Sequence, residues 1–142
     1  MASKPETTFY TAVHRHLPPP SELYRMKNNN QFIAGIADHW YDGLRDLWVE
    51  WKFIKVPVRD DTGIDLVMGK DPPISYLQQD WLSARHANGR AAWVIVGSKD
   101  GGVIMRTPRE WKRTWDAALF RASLESRPQI AQAITQFCLT RK

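Results

Sequence analysis

Length, composition and charge restrict what this chain can be. Its 142 residues are about the length of one domain, and a domain of that size buries a core without disulfides or a structural metal. The single cysteine, Cys138, excludes a disulfide framework and a four-cysteine zinc site. Twenty basic against fifteen acidic residues give a formal net charge of +5, which favours an anionic partner such as nucleic acid.

Neither a membrane span nor a secretory signal is expected. The longest apolar runs, such as residues 91–96, fall far short of the roughly 20 residues that a membrane helix needs. The N-terminal segment has charges at Lys4 and Glu6 and no apolar stretch before a small-residue cleavage site. We therefore expect a cytoplasmic protein with no membrane partner, in which the lone thiol stays reduced.

The first predicted elements are a helix and a short strand. Ser3 is a candidate N-cap, Pro5 lies in the first turn and Glu6 occupies the capping-box position. An apolar stripe at helical spacing follows, and the prolines at 18–20 end that helix. Residues 23–26 form a strand candidate.

A hairpin is predicted next, with strands near residues 38–41 and 46–54. Pairing Tyr41 with Leu47 gives a loop of common hairpin size and sets Asp38 opposite Glu50. Because side chains alternate along a strand, Lys52 shares the face of Glu50. The other face is apolar.

The rest of the chain alternates loops, helices and strands. Residues 55–73 read as a long loop, followed by a helix with Ser75 as N-cap and by a buried strand that returns through a hairpin. A second capping box at 107–110 predicts a helix through Trp111 and Trp115 to about Leu124, with both indoles on one face for core or dimer contacts. A last helix begins near residue 126. This order predicts an α/β fold with a central mixed β-sheet flanked by helices.

The charged strand face points to metal chemistry. Two opposed carboxylates repel each other, so Asp38 and Glu50 call for a compensating cation, either Lys52 or a metal. Mg²⁺ prefers oxygen ligands and takes one or two protein carboxylates, leaving places for water and phosphate oxygens. With a basic surface, this set predicts phosphodiester hydrolysis by a metal-activated water.

These residues carry a resemblance to a known superfamily. Gly-Ile-Ala-Asp at 35–38, Glu-Trp-Lys at 50–52 and Ile-Ser-Tyr-Leu-Gln-Gln-Asp-Trp-Leu at 74–82, followed by an apolar strand, resemble the PD-(D/E)XK nucleases. More narrowly, they resemble the VRR-NUC branch and its small phage-encoded relatives. Ala37 stands where the family pattern has proline. The resemblance covers about residues 6–96.

The resemblance implies a role for individual residues. It makes Asp38, Glu50 and the backbone carbonyl of Trp51 ligands of Mg²⁺ or Mn²⁺, with Glu6 reaching in from the first helix directly or through water. Capping of that helix is the alternative role for Glu6.

The remaining implied site residues are Lys52 as the catalytic lysine and Gln78 lining the site from its helix. The alternatives are a solvated ion pair of Glu50 with Lys52 and a merely exposed Gln78. In the long loop, Lys55, Arg59 and Lys70 are candidates to contact the phosphate backbone without reading bases.

The resemblance further implies a restriction-endonuclease-like core and one nuclease domain over residues 1–142. In that domain the core spans 3–106 and a C-terminal helical extension spans 107–142. The predicted function is a metal-dependent DNA endonuclease. Two alternatives are a structure-selective Holliday-junction resolvase, which would need a homodimer to cut two strands, and a catalytically silent nucleic-acid-binding module.

Overall fold

The chain folds around a mixed β-sheet. The computed structural model describes residues 3–29 and 35–141. Its elements, in chain order, are α1 (Lys4–His14), β1 (Tyr24–Lys27), β2 (His39–Asp42), β3 (Asp46–Phe53), β4 (Gly63–Ile64), α2 (Tyr76–Ala87), β5 (Ala92–Ser98), β6 (Gly101–Met105), α3 (Pro108–Lys112), β7 (Trp115–Asp116), α4 (Ala117–Ala122) and α5 (Arg127–Leu139).

The main sheet has the strand order β1-β2-β3-β5-β6. β2 runs antiparallel to both β1 and β3, β3 and β5 are parallel, and β6 returns antiparallel to β5. The parallel pair arises because α2 crosses over between β3 and β5. The predicted fold class, a central mixed sheet flanked by helices, is therefore confirmed.

The β2–β3 hairpin has the predicted register. Tyr41 pairs with Leu47 and His39 pairs with Val49, so one further step sets Asp38 beside Glu50. A slip of one residue would turn every side chain of β3 to the opposite face. The register thus determines on which side of the sheet the charged residues of β3 lie.

Each face of the sheet packs against helices. On one face α1 and α5 cover the apolar side of β3, in a cluster that includes Phe9, Val13, Tyr41, Leu47, Val49, Trp51, Ile130, Ile134 and Cys138. The other face packs against α2, α3, α4 and the segment before α2, in a cluster that includes Leu66, Ile74, Leu82, Val94, Val96, Trp111 and Phe120. The charged residues of β3 lie on this second face.

The helix predicted through Trp111 and Trp115 to Leu124 is wrong. The chain instead forms α3, the two-residue strand β7 and α4, so the two indoles do not share a helical face. Thr107 makes no side-chain cap bond, and the Asp116 side chain caps α4 by accepting from the N–H of Leu119 at 2.6 Å.

A long-range pairing explains this break. β7 pairs with β4, from the loop after β3, and the N–H groups of Ala117 and Ala118 donate to carbonyls of the same loop. Local capping signals cannot reveal a partner some fifty residues earlier. Trp111 and Trp115 are both buried, which favours the core interpretation over a dimer contact.

The segment at 55–73 is fastened to α4. Arg121 forms an ion pair with Asp60 at 2.8 Å and donates to the carbonyl of Pro57. Within the described ranges, no helix combines the length and the apolar character needed to cross a bilayer.

His14 makes stability depend on pH. Its Nε2 lies 2.7 Å from the buried Tyr41 hydroxyl, and burial, assisted by the positive charge of Arg25, lowers its pKa to about 4. Because this pKa is below that of the unfolded chain, the unfolded state binds more protons as pH falls from about 6.5 towards 4. Folding stability contributed by the neutral ring is present above that window and lost within it.

We expect the free energy of unfolding to fall more steeply on acidification in the wild type than in His14→Gln. The two slopes should differ by up to about 1.4 kcal/mol per pH unit. Urea unfolding at several pH values between 6.5 and 4 measures the difference. His16→Gln, at an exposed position of the same segment, is the control and should keep the wild-type slope. Equal slopes for wild type and His14→Gln would contradict the assignment.

Candidate active site

The candidate site is centred on Glu50 in the middle of β3. Its carboxylate is buried, with 1% of the residue exposed. The Lys52 Nζ lies 3.3 Å from Glu50 Oε2, and the Gln78 side-chain amide donates to the same oxygen at 3.0 Å. A lysine from β3 and a glutamine from α2 therefore meet on one carboxylate oxygen.

The surroundings of the second Glu50 oxygen, Oε1, differ from those of Oε2. Oε1 is buried, and within residues 3–29 and 35–141 it has no hydrogen-bond partner. Burial and the nearby charge of Asp38 raise the pKa of Glu50 well above its ordinary value, and Lys52 acts in the opposite direction. Since a buried anion is costly without partners, this oxygen is where a further cation would be most stabilising.

Asp38 stands at the entrance to β2, beside Glu50. Its Oδ2 accepts a hydrogen bond from the backbone N–H of Trp51 at 3.2 Å, which ties the carboxylate to β3. Three residues earlier, Gly35 has a φ of +90°, and a Cβ there would lie 2.7 Å from the carbonyl oxygen of Leu77. Only glycine fits this close approach of the Asp38 segment to the first turn of α2.

Gln78 is held by the cap of its own helix. The Ser75 hydroxyl accepts from the N–H of Gln78 at 3.2 Å, and the Ser75 N–H donates to Gln78 Oε1 at 3.0 Å. This capping box occupies the amide oxygen and leaves the NH₂ group to donate to Glu50. The side chain is therefore oriented before any ligand arrives, and it is only partly exposed.

Glu6 occupies the equivalent position of α1. Its N–H donates to the Ser3 hydroxyl at 3.3 Å, and that hydroxyl donates to Glu6 Oε2 at 3.0 Å. Burial raises the pKa of Glu6, and the charges of Lys52 and Asp38 also act on it. Glu6 thus takes part in the capping of α1 while facing the same group of charges.

The loop cations lie apart from this cluster. Lys55 is exposed just beyond the end of β3, and Arg59 pairs with Asp61 at 3.1 Å, both largely in solvent. Lys70 is also exposed. The structure therefore brings together Asp38, Glu50, Lys52 and Gln78, with Glu6 close by, and leaves the three loop cations on the surface.

The candidate site offers two carboxylates to a divalent ion. Residues 3–29 and 35–141 contain no group of three or more His, Cys, Asp and Glu side chains arranged to hold a metal. Mg²⁺ characteristically uses only one or two protein carboxylates, however, and Asp38 with Glu50 supplies two. Among the described residues, none donates to the buried Oε1 of Glu50, so the carboxylates present fit such an ion.

Sequence reasoning did not identify the contribution of Ser75 to the site. It was assigned as a helix cap, whereas its capping box also orients Gln78 towards Glu50. The signal was present in the sequence as Ser-x-x-Gln, the capping-box pattern. What the sequence did not contain is the contact between α2 and β3.

Comparison with known proteins supports the fold. No protein-family model matches the chain, and no curated protein matches it. Among solved structures, the chain is similar to Hjc of Archaeoglobus fulgidus, a Holliday junction resolvase from an archaeal hyperthermophile. The TM-score is 0.55 at 14% sequence identity, over 91% of this chain and 97% of that one.

The close contact at Gly35 gives a test of the site's framework. We expect Gly35→Ala to lower the free energy of unfolding by at least about 1 kcal/mol more than Gly89→Ala, measured by urea denaturation. Both glycines have positive φ, but a Cβ at Gly89 would meet nothing within 4 Å. The pair therefore separates backbone strain from the clash with Leu77. Equal losses in the two variants would contradict the close approach.

Proposed function

We propose that this chain is a metal-dependent DNA endonuclease that hydrolyses phosphodiester bonds. The observation that carries the proposal is the state of Glu50, a buried carboxylate with Lys52 and Gln78 on one oxygen and, in the described part of the chain, no partner on the other. A structural ion pair has no need of a second carboxylate beside it. Asp38 in that position supports a site built to receive a cation and a phosphate.

The chain's own residues have distinct tasks in this mechanism. Lys52 places a positive charge beside Glu50, where it can stabilise negative charge that develops on the phosphate. Gln78 fixes the orientation of Glu50, and the N–H of Trp51 fixes that of Asp38. These contacts exist without substrate, so reorganisation on binding is small.

Asp38 and Glu50, with the backbone carbonyl of Trp51 and with Glu6, would hold Mg²⁺ or Mn²⁺. When bound, the ion would supply Lewis-acid polarisation of a phosphoryl oxygen and activation of the attacking water. The partly buried position of Glu6 and its electrostatic coupling to Lys52 and Asp38 support its inclusion.

DNA is the proposed substrate. A net charge of +5 favours a polyanion, and the exposed Lys55, Arg59 and Lys70 follow the strand that carries the site. The fold similarity to a protein described as a Holliday junction resolvase supports nuclease chemistry. The motif pattern further supports membership of the VRR-NUC branch. The proposed location is the cytoplasm, which for a phage-encoded protein is that of the host cell.

Glu50→Gln and Lys52→Met should each reduce metal-dependent cleavage of supercoiled plasmid by at least about 100-fold. Both variants keep the approximate shape of the side chain. Lys52→Met lowers the free energy of unfolding because it removes one partner of the buried Glu50. The fold and the binding of DNA should remain, and cleavage is compared at a temperature at which each variant is folded. Gel analysis of plasmid relaxation measures cleavage, and circular dichroism checks the fold.

The matched controls for these variants are Glu22→Gln and Lys112→Met, at exposed positions outside the site. Both should cleave like the wild type. Cleavage retained in rigorously purified Glu50→Gln or Lys52→Met protein would overturn the proposed function.

Removal of divalent ions with EDTA should stop cleavage, and added Mg²⁺ or Mn²⁺ should restore it. The measurement compares supercoiled plasmid, linear duplex, single strands and a four-way junction, each with and without Mg²⁺. Cutting confined to the junction by a homodimer would favour the resolvase alternative. Salt-sensitive binding without cleavage of any substrate would instead show a catalytically silent module.

A further inference from the structure

Four aromatic rings from four different elements form a continuous line on the charged face of the sheet. Tyr24 of β1 lies 6.2 Å from Trp40 of β2, Trp40 lies 6.2 Å from Trp48 of β3, and Trp48 lies 5.2 Å from Trp81 of α2, measured between ring centroids. We refer to these four side chains as the aromatic strip.

The strip is continuous with the candidate active site. Trp48 and Glu50 are two residues apart on β3, so their side chains share one face of the sheet at a spacing of about 7 Å. Trp40 pairs directly with Trp48 across the hairpin, which keeps it on that face. A strand of nucleic acid with its phosphate at Glu50 would therefore have its neighbouring nucleotides over the strip.

The strip is open to solvent at its outer end. Tyr24 is 51% exposed, and Met26, which pairs with Trp40 on the same face, is 43% exposed. The three tryptophans are partly exposed. Apolar side chains left open to solvent beside a polar site are typical of an interaction surface.

The charges around the strip favour a polyanion along one side. The Arg85 guanidinium lies 4.9 Å from the Trp81 ring centroid, and Arg90 lines a cleft of about 620 Å³ beside Trp40. At the hairpin end, Asp46 accepts a hydrogen bond from Trp40 Nε1 at 3.1 Å, and Asp42 lies opposite Asp46. Arg45, also in the hairpin, lines the same cleft as Asp42, Asp46 and Arg90, so this end of the strip carries both signs of charge. A phosphate backbone is thus attracted by Arg85 and Arg90, on the side away from the two aspartates.

We propose that the aromatic strip stacks unpaired bases of the nucleic-acid strand whose phosphate lies at Glu50. This inference rests on the proposed nuclease function and specifies the substrate class: DNA that contains a single-stranded stretch next to the cut. Stacking on aromatic rings is tolerant of sequence because every base has a π-face. A second copy of this chain fits less well, since it would cover the approach to Glu50.

The first test compares two strands with the same backbone charge. An oligothymidylate of about 15 nucleotides and an abasic strand of equal length are titrated into the full chain in EDTA at one ionic strength. We expect the oligothymidylate to quench tryptophan fluorescence and to bind at least about fivefold more tightly. Equal affinity for the abasic strand would overturn the proposal.

The second test uses variants of the strip. Trp40→Leu should weaken oligothymidylate binding by at least about fivefold, while Trp40→Phe should retain most of the affinity because it keeps an aromatic face. Tyr24→Leu, on the exposed edge strand, provides a second position if Trp40→Leu fails to fold. Met68→Ser, at an exposed apolar side chain outside the strip, is the control and should bind like the wild type.

The outcomes separate this inference from the nuclease proposal. Binding is measured without divalent ions, so it does not depend on cleavage. A wild type that never cleaves overturns the proposed function, whereas unchanged binding by folded Tyr24→Leu or Trp40→Leu overturns the strip alone. Sedimentation of the same proteins provides a further check, because a wild-type dimer that Trp40→Leu dissociates would make the strip a protein interface and overturn the proposal.

Discussion

Placing a carboxylate inside a β-sheet costs free energy unless its neighbours compensate for lost water, and this constraint organises the site around Glu50. Its cross-strand neighbour on β5 is Val94, which is fully buried and offers no hydrogen bond. Lys52 and Gln78 compensate one oxygen only. No described residue compensates the other oxygen, and this is why the proposed function assigns it a cation rather than a place in a finished ion pair.

The first turns of two helices carry polar side chains that act on the charged groups around Glu50. α1 and α2 each begin with a serine cap. Gln78, three positions after Ser75, donates to Glu50 from a full capping box. Glu6, three positions after Ser3, accepts from the Ser3 hydroxyl and is affected by the charges of Lys52 and Asp38. A residue at this capping position is fixed by its own backbone. The arrangement orients two side chains through local hydrogen bonds, so little ordering entropy remains to be lost when a substrate binds.

The sequence predicts those parts of the molecule that depend on short-range patterns. The hairpin register follows from the turn length and from the alternation of β3. The structure has the predicted pair, Tyr41 opposite Leu47. The error at Trp115 has the opposite origin, because the pairing of β7 with β4 depends on residues distant in sequence. The burial of Glu50 likewise cannot be predicted from the local sequence pattern, because alternation along β3 does not show that α2 packs over that face.

The same alternation makes β3 the element that carries both the candidate active site and part of the aromatic strip. One face of this strand is uniformly apolar and closes the core against α1 and α5. The opposite face changes in character along its length, from Trp48 to Glu50 and Lys52. Because successive residues on one face lie about 7 Å apart, an aromatic surface and an ionic site are neighbours at a distance set by the backbone alone. Under the proposed function, the ligand that spans both offers an apolar ring to Trp48 and an anionic group to Lys52, which a nucleotide does and a simple phosphate does not.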